Sequence, residues 1–161
     1  MERLSIEERF SNIEYNLNVI NERIALAAEK SGRKAEDISF MAVTKTVEPI
    51  FINHAIEHGV NLIGENKVQE FLSKKEHLKL SGCEAHLIGH LQTNKVKYIA
   101  PFVSMISSVD SARLIEEIER QAARYERCID ILLEVHVAQE ETKSGWDVEE
   151  LRQYIASGGL A

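Results

Sequence analysis

An α/β fold, a parallel sheet covered by helices, is predicted by three features of the chain. Five apolar runs alternate with five helical segments after a long first helix. The runs are apolar at nearly every position, as in strands buried on both faces. Polar residues collect at the carboxyl end of each run, the end at which parallel α/β folds bind ligands. With 161 residues the chain has the length of one domain with a sizeable core, and residues 1–161 are read as a single domain. An open doubly wound sheet and a (β/α)8 barrel both fit the rhythm. A complete barrel needs eight strands and typically about 250 residues, and five strands are legible here.

The first element, "SIEERFSNIEYNLNVINERIALAAEKSG", reads as a helix. Ser5 and Glu8 have the spacing of a capping box and Gly32 is its stop. Ile6, Phe10, Ile13, Leu17, Ile20 and Ile24 alternate in steps of four and three, which makes one apolar stripe for packing. The strands then read "DISFMAVTK", "VNLIGEN", "EAHLIGH", "FVSMISSVD" and "CIDILLEVHVA". The helices between and after them read "EPIFINHAIEHG", "KVQEFLSKKEHLKLSG", a short one around "TNKVKYIA", "SARLIEEIERQAARYER" and one near "DVEELRQYIASGG".

A formal net charge of −7 argues against a general attraction to nucleic acid or anionic membranes. No apolar run approaches the roughly 20 residues of a membrane span, and "MERLSIEERF" lacks the apolar core of a secretory signal. Cys83 and Cys128 form no CxxC pair, so a reducing cytoplasm is the expected compartment. The sequence holds no GxGxxG, GxxxxGK[ST] or GxSxG, which counts against dinucleotide-binding proteins, P-loop NTPases and serine hydrolases.

Candidate site residues follow from the strand ends. Lys45 ends the first strand between Thr44 and Thr46, and Asn66 follows the second in "GEN". His90, Gln92, Asn94 and Lys95 follow the third, and Ser107, Ser108 and Asp110 the fourth. Lys143, Ser144 and Gly145 follow the fifth, ahead of Trp146, which is read as a packing residue. Apolar walls such as "FMAV" beside a lysine favour its neutral form, which attacks a carbonyl, and the alternative reading is a solvated lysine snorkelling from the strand end. Asn66 is suited either to capping the next helix or to offering its amide to a ligand. Glu65 and Asp110 are candidate proton-transfer groups. On an extended strand His86 and His90 stand roughly 13 Å apart, too far for one metal. His86 reads as an interior residue, while His54, His58, His77 and His136 show no partner pattern, so no metal is expected.

As a set, "AVTKT", "IGENKVQE", "HLIGHLQTNK", "SSVDS" and "TKSGW" closely resemble the pyridoxal-phosphate homeostasis protein family, from the first helix to the "KSG" loop. The resemblance implies a (β/α)8-type barrel like the amino-terminal domain of alanine racemase. It implies pyridoxal 5′-phosphate held as a Schiff base on Lys45, with Asn66, His90, Gln92, Asn94 and Ser108 around it. It further implies a role in intracellular cofactor homeostasis, with a small-molecule cofactor as partner and no catalytic turnover. The alternative is a racemase-like enzyme, which needs an acid/base on each face of its substrate. No tyrosine stands at a strand end opposite Lys45 to supply one. The family's Ser-rich phosphate turn, "GT" segment and pyridine-side arginine belong to its last third, for which this sequence shows no counterpart. Monomer and homo-oligomer both remain open.

Overall fold

Ser5 opens the first helix as its spacing predicts. Its hydroxyl accepts the Glu8 N–H at 3.1 Å, and the Glu8 carboxylate accepts the Ser5 N–H at 2.8 Å. Helix α1 runs Ile6–Lys30 in this computed structural model, which describes residues 4–137 and 144–160. Gly32, at φ +71°, lets the chain turn while Arg33 N–H returns to the Ala28 carbonyl, so the helix stops where expected. Leu17 and Ala28 are buried, whereas Ile6 at the start of the stripe is exposed. The stripe packs on α2 (Pro49–Glu57), where Phe10 meets Phe51 edge to face at 5.7 Å and Arg9 lies over the Phe51 ring.

Five strands follow: β1 (Ala42–Val43), β2 (Leu62–Glu65), β3 (Glu84–Leu87), β4 (Met105–Val109) and β5 (Asp130–Leu133). They alternate with α2, α3 (Val68–Lys74), α4 (Val96–Ile99), α5 (Ala112–Arg124) and α6 (Val148–Ala156). All pairings are parallel and the order across the sheet is β1-β2-β3-β4-β5. That order decides between the two architectures. A doubly wound sheet reverses direction at a switch point, whereas here each strand joins beside its predecessor, as in barrel winding. With right-handed crossovers, sequential order sends every connecting helix to one side of the sheet. The chain is an α/β protein with a five-stranded arc of a barrel-type sheet among its described residues.

The core lies between this sheet and its helices. Ile63, Leu87 and Ile106 from adjacent strands meet Phe71, Ile99 and Leu114 from the helices, all with at most 1% exposure. Two elements are shorter than expected. The run read as a buried first strand pairs only at Ala42 and Val43, because β1 lies at an edge, and Val43 is half exposed. The helix read from Lys67 to Gly82 ends at Lys74 and tightens through a 3₁₀ turn, Lys75–His77. There the Asn53 side chain donates to the His77 carbonyl and accepts from Lys79 N–H, both at 2.8 Å, giving the backbone partners that a continuing helix would have supplied. Among the described residues no helix is long and apolar enough to cross a membrane.

Phe71→Ala removes a fully buried ring and should lower unfolding free energy by about 3–5 kcal/mol, read by urea denaturation. Tyr15→Ala, on the exposed side of α1, should stay within about 0.5 kcal/mol.

Candidate functional site

The carboxyl ends of the strands carry two polar layers, a buried one and an upper one that opens to solvent at His90, Gln92 and Asn94. In the buried layer, Thr44 Oγ1 donates to Glu65 Oε1 at 2.7 Å, across the β1–β2 pair. Lys74 Nζ, from the end of α3, reaches the same Glu65 oxygen at 3.1 Å, the Thr44 carbonyl at 3.0 Å and Glu70 Oε1 at 2.6 Å. Glu70 Oε1 also accepts the Thr46 N–H. Thr44, Glu65 and Lys74 are all buried, Glu65 almost completely. One ammonium thus ties together a strand end, the neighbouring strand end and a helix.

Lys45 sits between the two clamped residues. Thr44 N–H still pairs with the Gly64 carbonyl at 3.0 Å, so Lys45 is the first residue released from the sheet. Thr46 has φ +63°, a conformation in which a β-branched side chain is strained. Its bond to Glu70 holds that turn in place. The walls expected around Lys45 do not form: Lys45 is exposed, Phe40 and Met41 are only partly covered, and edge position leaves Val43 open. The amine is therefore a solvent-facing group on a fixed backbone.

The upper layer runs across β2, β3 and β4. Asn66 is partly buried, but the N-cap position of α3 is Lys67 and no side chain caps that helix, so Asn66 is not a cap. Its backbone oxygen and side-chain amide instead press on Gly89. A Cβ at Gly89 would lie 2.1 Å from Asn66 O and 2.5 Å from Asn66 Oδ1, so only glycine fits there. The Gly89 carbonyl in turn accepts the buried Ser108 hydroxyl at 2.6 Å. Asn66, Gly89 and Ser108 thus form one contact line over three strand ends.

His90 is more than half exposed, with Nδ1 3.3 Å from Asp110 Oδ2. Gln92 and Asn94 are exposed around the 3₁₀ turn Thr93–Lys95 that precedes α4. Ser108 is committed to Gly89, Glu65 to Thr44 and Lys74, and Asp110 to His90 and Ser111. Glu65 and Asp110 consequently serve as structural anchors in this arrangement rather than free proton carriers. Lys143 lies outside the described residues. Trp146 is buried as expected, its indole N–H donating to the Val109 carbonyl at 3.0 Å. His86 is likewise buried, 3.5 Å from Glu84. Sequence reasoning missed Glu70, Lys74 and Gly89. The first two had a signal in their four-residue spacing on one helix face, whereas Gly89 had none.

No protein-family model matches the chain. A curated relative, the pyridoxal phosphate homeostasis protein of Aquifex aeolicus, is 42% identical over 137 residues, covering 85% of this chain and 60% of that protein. The chain belongs to the pyridoxal phosphate homeostasis protein family. It spans 60–64% of the length of the first curated relatives it matches. Solved structures share the fold of the chain. A protein of unknown function from Bifidobacterium adolescentis superposes with TM-score 0.81 at 35% identity, covering 94% of this chain and 66% of that one. PipY of Synechococcus elongatus, solved with pyridoxal phosphate bound, gives TM-score 0.71 at 32% identity over 86% of this chain and 63% of its own. Alanine racemase from Bartonella henselae shares the fold alone, with TM-score 0.63 at 12% identity over 94% of this chain and 39% of that one.

Two tests address the buried layer. Lys74→Met leaves the Glu65 carboxylate buried without its cation and should cost about 3–5 kcal/mol of stability, measured by denaturant titration. Lys74 beside Glu70, together with the Thr46 N–H, holds the Glu70 carboxyl below its usual value of 4.5. A lowered folded-state pKa stabilises above the unfolded value and loses that contribution as pH falls through the folded one. The stability gap between wild type and Glu70→Gln should therefore be constant at neutral pH and close on acidification below the ordinary carboxylate range.

Proposed function

We propose that this chain is a cytoplasmic pyridoxal-phosphate-binding domain, residues 1–161, whose Lys45 amine holds the cofactor covalently for homeostasis, without catalytic turnover. The observation that carries this reading is the position of Lys45: an exposed primary amine on a backbone clamped at both neighbouring residues. The curated relatives are named as pyridoxal phosphate homeostasis proteins, and PipY was solved with the cofactor bound. Both cysteines are free thiols, in keeping with a reducing compartment.

The cofactor supplies an aldehyde that condenses with a primary amine and a ring that withdraws electrons. The residues here suit its aldehyde end. Lys45 presents the amine, and Glu65, Glu70 and Lys74 fix where the amine starts. The Asn66 amide, packed on Gly89, offers hydrogen-bonding groups next to the first strand end. Ser108 supports that contact through the Gly89 carbonyl and contributes indirectly. His90, oriented by Asp110, and the amides of Gln92 and Asn94 form the outer rim. Both layers therefore position a bound molecule.

Turnover as a racemase asks for a second proton carrier facing the lysine. None of the four tyrosines occupies a strand end: Tyr15 is on α1, Tyr98 on α4, Tyr125 caps α5 and Tyr154 is on α6. This supports holding rather than turnover.

The test is titration of the purified chain with pyridoxal phosphate, borohydride reduction and peptide mass mapping. Label on Lys45, lost in both Lys45→Ala and Lys45→Arg, is the expected result. Label on another lysine, or an unmodified chain at saturating cofactor, overturns the proposal. Amino acids incubated with the loaded chain in deuterated water should show no exchange at the α-carbon, and exchange would favour the racemase-like reading.

A further inference from the structure

His54 lies on α2 and His58 caps its carboxyl end, one turn further on in "HAIEH", with their ring centroids 4.2 Å from each other. Glu14 of α1 reaches both. Its Oε1 is 2.9 Å from His54 Nε2 and 3.6 Å from His58 Nε2, and the three donor atoms lie within 4.8 Å of one another. The tautomer of His58 follows from its other nitrogen. Nδ1 is 2.8 Å from the His54 carbonyl, which can only accept, so Nδ1 carries the hydrogen. In the neutral ring, Nε2 then turns a lone pair toward a carboxylate oxygen with no proton between them. The His54 ring is held as well, stacked on Phe10 with centroids 3.9 Å apart and planes 8° apart.

We propose that Glu14, His54 and His58 form a divalent transition-metal site, with zinc as its natural probe, that staples α1 to α2. The donor set is two imidazoles and a carboxylate, with a helical i, i+4 pair supplying both histidines. Metal–ligand bonds of 2.0–2.2 Å place the donor atoms of a tetrahedral centre roughly 3.3 Å apart. The observed 2.9 and 3.6 Å lie on either side of that value. The hydrogen bond from His58 Nδ1 to a backbone carbonyl is the outer contact that orients metal-binding imidazoles. Glu14 and His58 remain partly exposed, so the fourth position is open to water. The spacing His-x-x-Glu-His also occurs in hydrolytic zinc enzymes, but Glu57 is paired with Lys79 at 2.8 Å and is not available as a general base. The geometry points to a structural ion. It does not depend on the reading of Lys45, since its donors come from α1 and from the carboxyl end of α2 with its cap.

The experiment uses the full, tag-free chain carrying Cys128→Ser, which removes the exposed thiol as a competing zinc ligand. The metal-stripped protein is titrated with zinc by calorimetry and with cobalt by visible absorption, and its melting temperature is followed. One ion per chain, tetrahedral-type cobalt bands and a higher melting temperature with zinc are expected. Glu14→Gln and His58→Ala, both at partly exposed positions, should keep the native circular dichroism spectrum and weaken affinity at least about tenfold. His77→Ala should bind as wild type does. Absence of binding, or equal binding in Glu14→Gln and His58→Ala, overturns the proposal.

Discussion

The ammonium of Lys74 is buried against the Glu65 and Glu70 carboxylates and the Thr44 carbonyl, and the Thr44 hydroxyl donates to the same Glu65 oxygen. A buried ion pair of this kind adds little net stability, because desolvation offsets most of the attraction. An apolar cluster of equal volume would hold β1, β2 and α3 together about as well. An apolar cluster would not fix the backbone on both sides of Lys45. The Thr44 carbonyl and the Thr46 N–H are each taken by a group of the network, and Thr46 stays in a left-handed conformation as a result. The polar network is accordingly best understood as a positioning device.

This explains how an exposed lysine at a sheet edge can still act as a defined point of attachment. An edge strand with two paired residues offers little rigidity of its own. Rigidity comes from the network below, and the contact line from Asn66 through Gly89 to Ser108 continues it across the sheet. Asn66 directly follows β2, Gly89 lies two residues past β3 and Ser108 is the penultimate residue of β4. Strand ends are where main-chain groups lose ladder partners, so side chains from neighbouring strands and helices take over there.

The α1–α2 contact follows a different logic. It rests on stacked rings, with Phe10 against both Phe51 and His54, and on Arg9 placed over Phe51 near Glu48. This face of α1 is therefore partly aromatic and partly ionic. That combination suits a contact only partly shielded from water, with Phe51 buried while Phe10 and His54 stay partly exposed.

Local pattern alone determined the order and kind of the elements, the capping box at Ser5, the stop at Gly32 and which residues stand at the strand ends. It did so because periodicity and capping record how each residue meets its near neighbours in the chain. Tertiary structure decided three other things. The sequential strand order separates barrel winding from a doubly wound sheet. Asn53 ends the helix that pattern would have extended past Lys74, and Glu14 meets His54 and His58 across two helices. Each of these joins groups distant along the chain, and their meeting is set by crossover geometry and packing, which leave no mark in any short stretch of residues.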